Sequence, residues 1–317
     1  MKLTVEPHPV LAVCLNPAWQ KTLIFKHLTY GDVNRASEVK ECGGGKGVNV
    51  VRVFKNLGLP IALAGFAGGE TGRKLKEEIT ASGARSLIVD TVGVTRCCMT
   101  VISQDDSKVS ELIEPSCTIE KKEQQALKAM IESSIKEFGA VVFSGTVANG
   151  ISPEYCAELA EIARENGVPF ILDAFKGILP MLEKGVTMLK INSFELSQLS
   201  EGEGTGERAA KLLAQYPNVE WLAVTDGSAP AMLFTRGTTW KINVPRLPKV
   251  FNTIGAGDCC AAIMTRRISE GIGKDDYPKA FAEALACASA SCLTDTPSVF
   301  NTADAEEILK NTTIQKI

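Results

Sequence analysis

A chain of 317 residues with 45% hydrophobic content is long enough for one large α/β core, and its formal charge of −3, with no long basic run, excludes a nucleic-acid tract and a polybasic membrane patch. No stretch approaches the ~18 uninterrupted apolar residues of a membrane span, and the opening MKLTVEPHPVLAVCLNP lacks the apolar run of a secretory leader because Pro7, His8 and Pro9 interrupt it. The ten cysteines include two adjacent pairs but no C-x-x-C, and the histidines are His8 and His27, so the pattern suits neither a disulfide scaffold nor a zinc site; buried, reduced thiols in a cytoplasmic protein are expected.

In chain order, the segments KTLIFKHL and ASEVKEC (within 21–42) and TRCCMTVIS and KVSELIE (within 96–114) alternate apolar and polar side chains. That alternation predicts strands solvated on one face. Inserted into an α/β core they would form a lid over a cleft, or a surface through which two copies pair as a homodimer. Between them lies ECGGGKGVNVVRVFKNLG, Glu41–Gly58, where Val50, Val51, Phe54 and Leu57 fall at helical spacing and predict a helix from about Gly47 to Gly58.

Further on, AVVFSG (140–145) reads as a buried strand. Ser152 and Pro153 then open a helix as N-cap and first residue, and Asn166-Gly167 stops it. VPFILDA (168–174), VTMLKI (186–191) and WLAVTDG (221–227) are the next strands, with NSFELSQL starting a helix after the second. Strand–helix alternation predicts a mostly parallel sheet covered by helices on both faces. No repeat or Pro/Ser-rich linker divides the chain, so residues 1–317 read as a single domain carrying a small lid.

Three motifs carry chemistry. In NTIGAGDCCAA, Asn252–Ala262, glycines precede a run of helix formers that ends at Gly271. A helix N-terminus has free N–H groups and partial positive charge, and glycines let its backbone approach a ligand closely, which makes an anion site. Asp258 there is either a helix cap or a base that takes a proton from a hydroxyl attacking a bound phosphate. The GGGKG loop fails two phosphate-loop patterns: Lys40 stands where a P-loop needs its first glycine, and Val48 where a dinucleotide fingerprint needs its third. An open helix start with Lys46 and Asn49 remains, suited to a phosphorylated or polyhydroxylated small molecule. Finally, Asn192-Ser193-Phe194-Glu195 follows a strand; it reads as a capping box or as a place where Glu195 orders magnesium.

Together GGGKGVNV, KINSFEL and NTIGAGD, in this order, resemble the ribokinase-like (PfkB) carbohydrate kinases over nearly the whole chain. CLNPAWQKT, GGKG, and TRCCMTVIS followed by ELIEP look most like the phosphosugar branch, the 1-phosphofructokinases, tagatose-6-phosphate kinases and minor 6-phosphofructokinases. The resemblance implies a three-layer α/β/α fold with a small β-sheet lid, and transfer of the ATP γ-phosphate to a ketohexose phosphate with Mg²⁺. It implies Asp258 as catalytic base and Gly255, Ala256 and Gly257 as an anion hole. It places Gln20, Gly44, Gly45, Asn49, Glu111 and Thr146 toward the sugar, and Lys46 and Arg96 on the phosphate the sugar already carries. Lys190, Asn192, Thr225 and Gly227 would serve the nucleotide and Glu195 the metal.

The chain departs from the branch at three places. Gln20 stands where N-P-A-x-D has its aspartate, Gly145-Thr146-Val147-Ala148 replaces G-S-L-P, and TDGSAPA puts Asp226 near the expected polyphosphate. Two alternatives stay open on these residues: a kinase of an unphosphorylated sugar or nucleoside, and a non-catalytic sugar or nucleotide sensor.

Overall fold

A computed structural model describes residues 8–106 and 108–317; the segment 1–7, part of the stretch read above as lacking a leader, lies outside the described residues. The strands in chain order are β1 (Val10–Cys14), β2 (Ala18–Phe25), β3 (Glu38–Gly44), β4 (Ile61–Ala67), β5 (Arg85–Asp90), β6 (Cys97–Ser103), β7 (Lys108–Ile113), β8 (Ala140–Ser144), β9 (Phe170–Asp173), β10 (Val186–Asn192), β11 (Val219–Asp226), β12 (Ala229–Phe234), β13 (Thr239–Asn243) and β14 (Thr313–Lys316). Ten of them form one sheet in the order β14-β13-β12-β11-β10-β9-β8-β1-β4-β5. It is parallel from β11 through to β5, and β12, β13 and β14 close one edge antiparallel.

The layering follows from the pleat of β1. Val10, Ala12 and Cys14 enter a core with residues of the helices Lys46–Leu57, Ala256–Ser269 and Tyr277–Ser291. Leu11, Val13 and Leu15 enter a second core with residues of the helices Lys121–Ser134 and Pro153–Glu165. A strand apolar on both faces has to be covered twice, and that gives helices on both sides of the sheet. The local signals act as expected: the Ser152 side chain accepts from the Tyr155 N–H, Pro153 takes the first turn, and Gly58 caps Lys46–Leu57 in the left-handed region at φ 66°. Among the described residues no helix is long and apolar enough to cross a membrane.

The lid is a separate four-stranded sheet in the order β3-β2-β6-β7, with β2 and β6 parallel and the other pairs antiparallel. Its strands begin and end differently from the 21–42 and 96–114 segments, β2 starting at Ala18 and β3 running to Gly44. The expected alternation of a buried and a solvated face is not seen: β2 and β6 are half-buried along most of their length, while the edge strands β3, over its first four residues, and β7, over its whole length, are exposed. The thiols divide likewise. All ten are free; Cys14, Cys156, Cys259, Cys260, Cys287 and Cys292 are buried as expected, whereas Cys42, Cys97, Cys98 and Cys117 are half-buried in the lid and the segment after it.

One glycine sets how closely the helix Lys46–Leu57 approaches the core sheet. A Cβ at Gly47 would lie 2.5 Å from the Cys14 Cβ, so the first turn of Lys46–Leu57 rests directly on the end of β1. Gly47→Ala is expected to destabilise the fold by about 1–3 kcal/mol through overpacking, read as a lower urea midpoint with an unchanged m-value.

Candidate active site

The parallel strands bring their carboxyl ends to one rim, where β1 ends at Cys14, β8 at Ser144, β9 at Asp173, β10 at Asn192 and β11 at Asp226. From β1 the sheet grows through β4 and β5 on one side and through β8 to β11 on the other. The crevice beyond the strand ends at such a reversal is where open α/β sheets bind ligands. Here it is bridged by Asn16, whose Nδ2 donates to Thr146 Oγ1 and to the Val147 carbonyl, each at 3.2 Å.

At the floor of the crevice lies Asp173, fully buried. Its Oδ1 is 3.2 Å from Lys190 Nζ and 3.4 Å from Lys46 Nζ, and its Oδ2 accepts from Ser144 Oγ at 2.9 Å. Burial pushes this carboxyl up, but Lys190, Lys46 and the hydrogen bonds outweigh burial and hold it below its ordinary value. Lys46 is held above the usual lysine value chiefly by Asp173, with Asp258 and Glu195 adding to the pull. Lys46 thus lies within the field of three carboxylates.

Asp258 is the third residue of Ala256–Ser269, and the N-cap position is held by Gly255. The cap reading of this residue is therefore set aside: Oδ2 instead accepts from Asn49 Nδ2 at 2.7 Å. Burial first, and then the Asp173 charge, raise its pKa to about 6, against the opposing influence of Lys46, the Asn49 bond and Lys190. The turn before it is rigid. Gly255 adopts φ 80°, and the hydroxyl of the buried Ser298, itself at φ 61°, donates to the Gly255 carbonyl at 3.0 Å. The Ala256 N–H reaches back to the Thr253 carbonyl at 3.3 Å, while the N–H groups of Gly255 and Gly257 take no acceptor among the described residues. A Cβ on Gly257 would stand 2.9 Å from Lys190 Nζ, so the ammonium lies directly beside this helix start.

The lid side holds the residues expected to face a sugar. Gln20 Nε2 donates to Thr100 Oγ1 at 2.7 Å, which leaves its carbonyl oxygen on the Gly44 side, 3.4 Å from where a Gly44 Cβ would be. Glu111 pairs directly opposite Thr100 and is exposed on the same face of the lid. Gly45, at φ 107°, turns the chain from β3 into Lys46–Leu57. Arg96 reaches into the crevice, where Nη2 donates to the Asn16 carbonyl at 3.2 Å and its buried Nε has no partner.

Across the rim, Asn192 and Glu195 form the reciprocal capping box, each side chain bonded at 2.8 Å to the other's backbone N–H. Glu195 Oε1 takes no hydrogen bond among the described residues. No group of three His, Cys, Asp or Glu side chains that could hold a metal alone occurs among the described residues. Thr225 pairs with Asn192 across β10 and β11, and Gly227, at φ 55°, turns β11 into β12. Asp226 accepts from the Ser193 hydroxyl, which ties its carboxylate to the capping helix.

Reading the sequence passed over Asn16, Arg52, Ser144, Asp173 and Ser298. Asp173 had a usable signal, since it ends the strand FILD at the rim where ligands bind. Ser298 had none, because its partner Gly255 is 43 residues away along the chain.

The model of the pfkB family of carbohydrate kinases matches residues 9–302. This chain belongs to that family. It is a carbohydrate kinase, a phosphotransferase acting on a sugar hydroxyl. Over 260 residues it is 30% identical to a tagatose-6-phosphate kinase of Staphylococcus epidermidis, covering 80% of this chain and 83% of the relative. Its fold matches Escherichia coli phosphofructokinase-2 solved in complex with fructose-6-phosphate, with a TM-score of 0.83 at 21% identity and coverage of 95% of this chain and 98% of that one. It likewise matches Arabidopsis thaliana ribokinase complexed with ribose and ATP, with a TM-score of 0.73 at 21% identity over 96% and 99%. The three-layer fold and the lid expected from the resemblance are thus those of this kinase.

Removing the central carboxylate would take away the charge that pairs directly with both lysines, leaving them to the weaker pull of Asp258. Asp173→Ala is expected to destabilise the kinase by roughly 3–5 kcal/mol, measured by urea denaturation at pH 7.

Proposed function

We propose that this kinase transfers the ATP γ-phosphate to a hydroxyl of a ketohexose phosphate, with Asp258 as base. The observation that carries the acceptor's phosphate is Arg96. Its guanidinium reaches into the crevice, where Nη2 bonds the Asn16 carbonyl at 3.2 Å, and a planar fork suits phosphate oxygens. The tagatose-6-phosphate kinase among the relatives supports the same class. Gln20, Gly44, Asn49, Glu111 and Thr146 line the sugar side. Lys46, drawn by Asp173, Asp258 and Glu195, is assigned here to the phosphoryl group in transit rather than to the acceptor's own phosphate.

In this reading, Asp258 takes the proton of the acceptor hydroxyl as that oxygen bonds to the γ-phosphorus. The bond from the γ-phosphorus to its bridging oxygen breaks, and ADP leaves. The open N–H groups of Gly255 and Gly257, with Lys190 beside them, face the charge that spreads over the phosphoryl oxygens. Thr225 and Gly227 lie where the nucleotide would extend along the rim. Glu195 fits magnesium, which is held by one or two carboxylates together with waters and phosphate oxygens, because one of its oxygens is unused. When bound there, the ion neutralises polyphosphate charge.

ADP release with Mg-ATP and a panel of tagatose 6-phosphate, fructose 1-phosphate, fructose 6-phosphate, free fructose and ribose tests the reading. Turnover is expected with phosphosugars alone, and Arg96→Ala should raise KM for the phosphosugar strongly; turnover confined to free sugars refutes the phosphate assignment. Asp258→Asn should lose at least ~10²-fold in kcat while sugar binding persists, and near-normal turnover would remove Asp258 as base. Since only the carboxylate can accept the proton, kcat/KM should rise as pH increases through about 6.

A further inference from the structure

One residue beside this site has no role so far. Arg52 lies one turn after Asn49 on Lys46–Leu57, and its Nη1 donates to Asn49 Oδ1 at 2.6 Å. A guanidinium carries donors only. The Asn49 atom that faces it is therefore the carbonyl oxygen, and the NH₂ is left for Asp258 Oδ2 at 2.7 Å. With the amide held this way, Asn49 can only donate to Asp258, which favours the carboxylate. A reversed amide would present its oxygen and accept from the protonated acid instead, favouring the neutral form.

The other arm of the fork is tied to the lid. Arg52 Nη2 donates to the Gly43 carbonyl at 2.8 Å, and the Gly43 N–H donates to Glu78 Oε2 at 2.6 Å. Glu78 Oε1 stands 3.7 Å from Arg52 Nη2, so Gly43 is gripped from both sides next to the residue where β3 ends. The Arg52 side chain is only 14% exposed, which keeps this arrangement out of bulk solvent.

We propose that Arg52 is a positioning residue that locks the Asn49 amide with its NH₂ on Asp258 and joins that setting to the root of lid strand β3. The proposal rests on the reading of Asp258 as the base. The other groups facing Asp258 are Asp173, Lys46 and Lys190, with the Cys259 thiol next to it on its own helix. None of these is bonded to Arg52, and Arg52 is not among the leading charges acting on Asp258, so the bonded route from Arg52 to Asp258 runs through Asn49.

The test is the Asp258 titration in the ligand-free full chain, followed by NMR with ¹³C-labelled aspartate carboxyls and assigned by the signal lost in Asp258→Asn. Arg52→Met should move the Asp258 pKa upward by about one unit. Arg52→Lys, again a donor without an acceptor, should stay near the parent value. Glu78→Gln, which loosens Gly43 but leaves the Arg52–Asn49 bond, should not shift it. An unshifted pKa in Arg52→Met overturns the proposal; if that variant does not fold, Arg52→Gln serves, because its amide can accept from Asn49 and release the lock. The acid limb of kcat/KM, measured with the acceptor that the panel identifies, separates the two readings. If the NMR pKa moves and the limb does not follow, Asp258 is not the base while the Arg52 role stands.

Discussion

A carboxylate with no solvent exposure, held between two ammonium groups, is the constraint on which the rest of this site depends. Asp173 draws Lys46 from the helix after the glycine loop and Lys190 from β10, and Lys190 then lies beside the start of Ala256–Ser269. Its charge persists because the lysines and the Ser144 hydroxyl outweigh burial. That persistence in turn raises Asp258, since two buried carboxylates close together resist being charged at once. An ion group of this kind is seldom the most stable filling for a core. Its presence at the mouth of a parallel sheet is better understood as preorganised charge for a polyanionic substrate.

The connection between lid and core is covalent as well as electrostatic. β3 runs through Gly44 into Gly45, and one residue later Lys46–Leu57 begins, carrying Lys46, Asn49 and Arg52. The strand that would lie over the acceptor and the helix that would contact the phosphoryl group are one continuous segment. Through Arg52 the root of β3 and the Asn49–Asp258 bond belong to one hydrogen-bonded chain.

The Asn192–Glu195 pair shows why one motif supported two readings. Its spacing is that of a capping box, and the structure forms the box in full. The box also leaves one Glu195 oxygen unused beside Lys46, so the fold-stabilising and metal-binding readings are not alternatives. At Asp258 the cap position belongs instead to Gly255, and the Asp258 carboxylate accepts from Asn49.

The α/β alternation, the helix bounds at Ser152–Pro153 and Gly58, and the positions of the glycine turns were all legible in the chain, because they depend on local chemistry: side-chain period, capping and positive φ. The motifs GGGKG and NTIGAGD likewise marked two helix starts as anion sites. Only the tertiary structure decided which charges meet there. Asp173 with Lys46, Asn49 with Asp258, and Ser298 with Gly255 are separated by 127, 209 and 43 residues. Contacts between residues so far apart in the chain arise from sheet order and helix packing, and no local pattern encodes them. The same holds for the thiols and for β7, whose exposure depends on which surfaces the other layers reach.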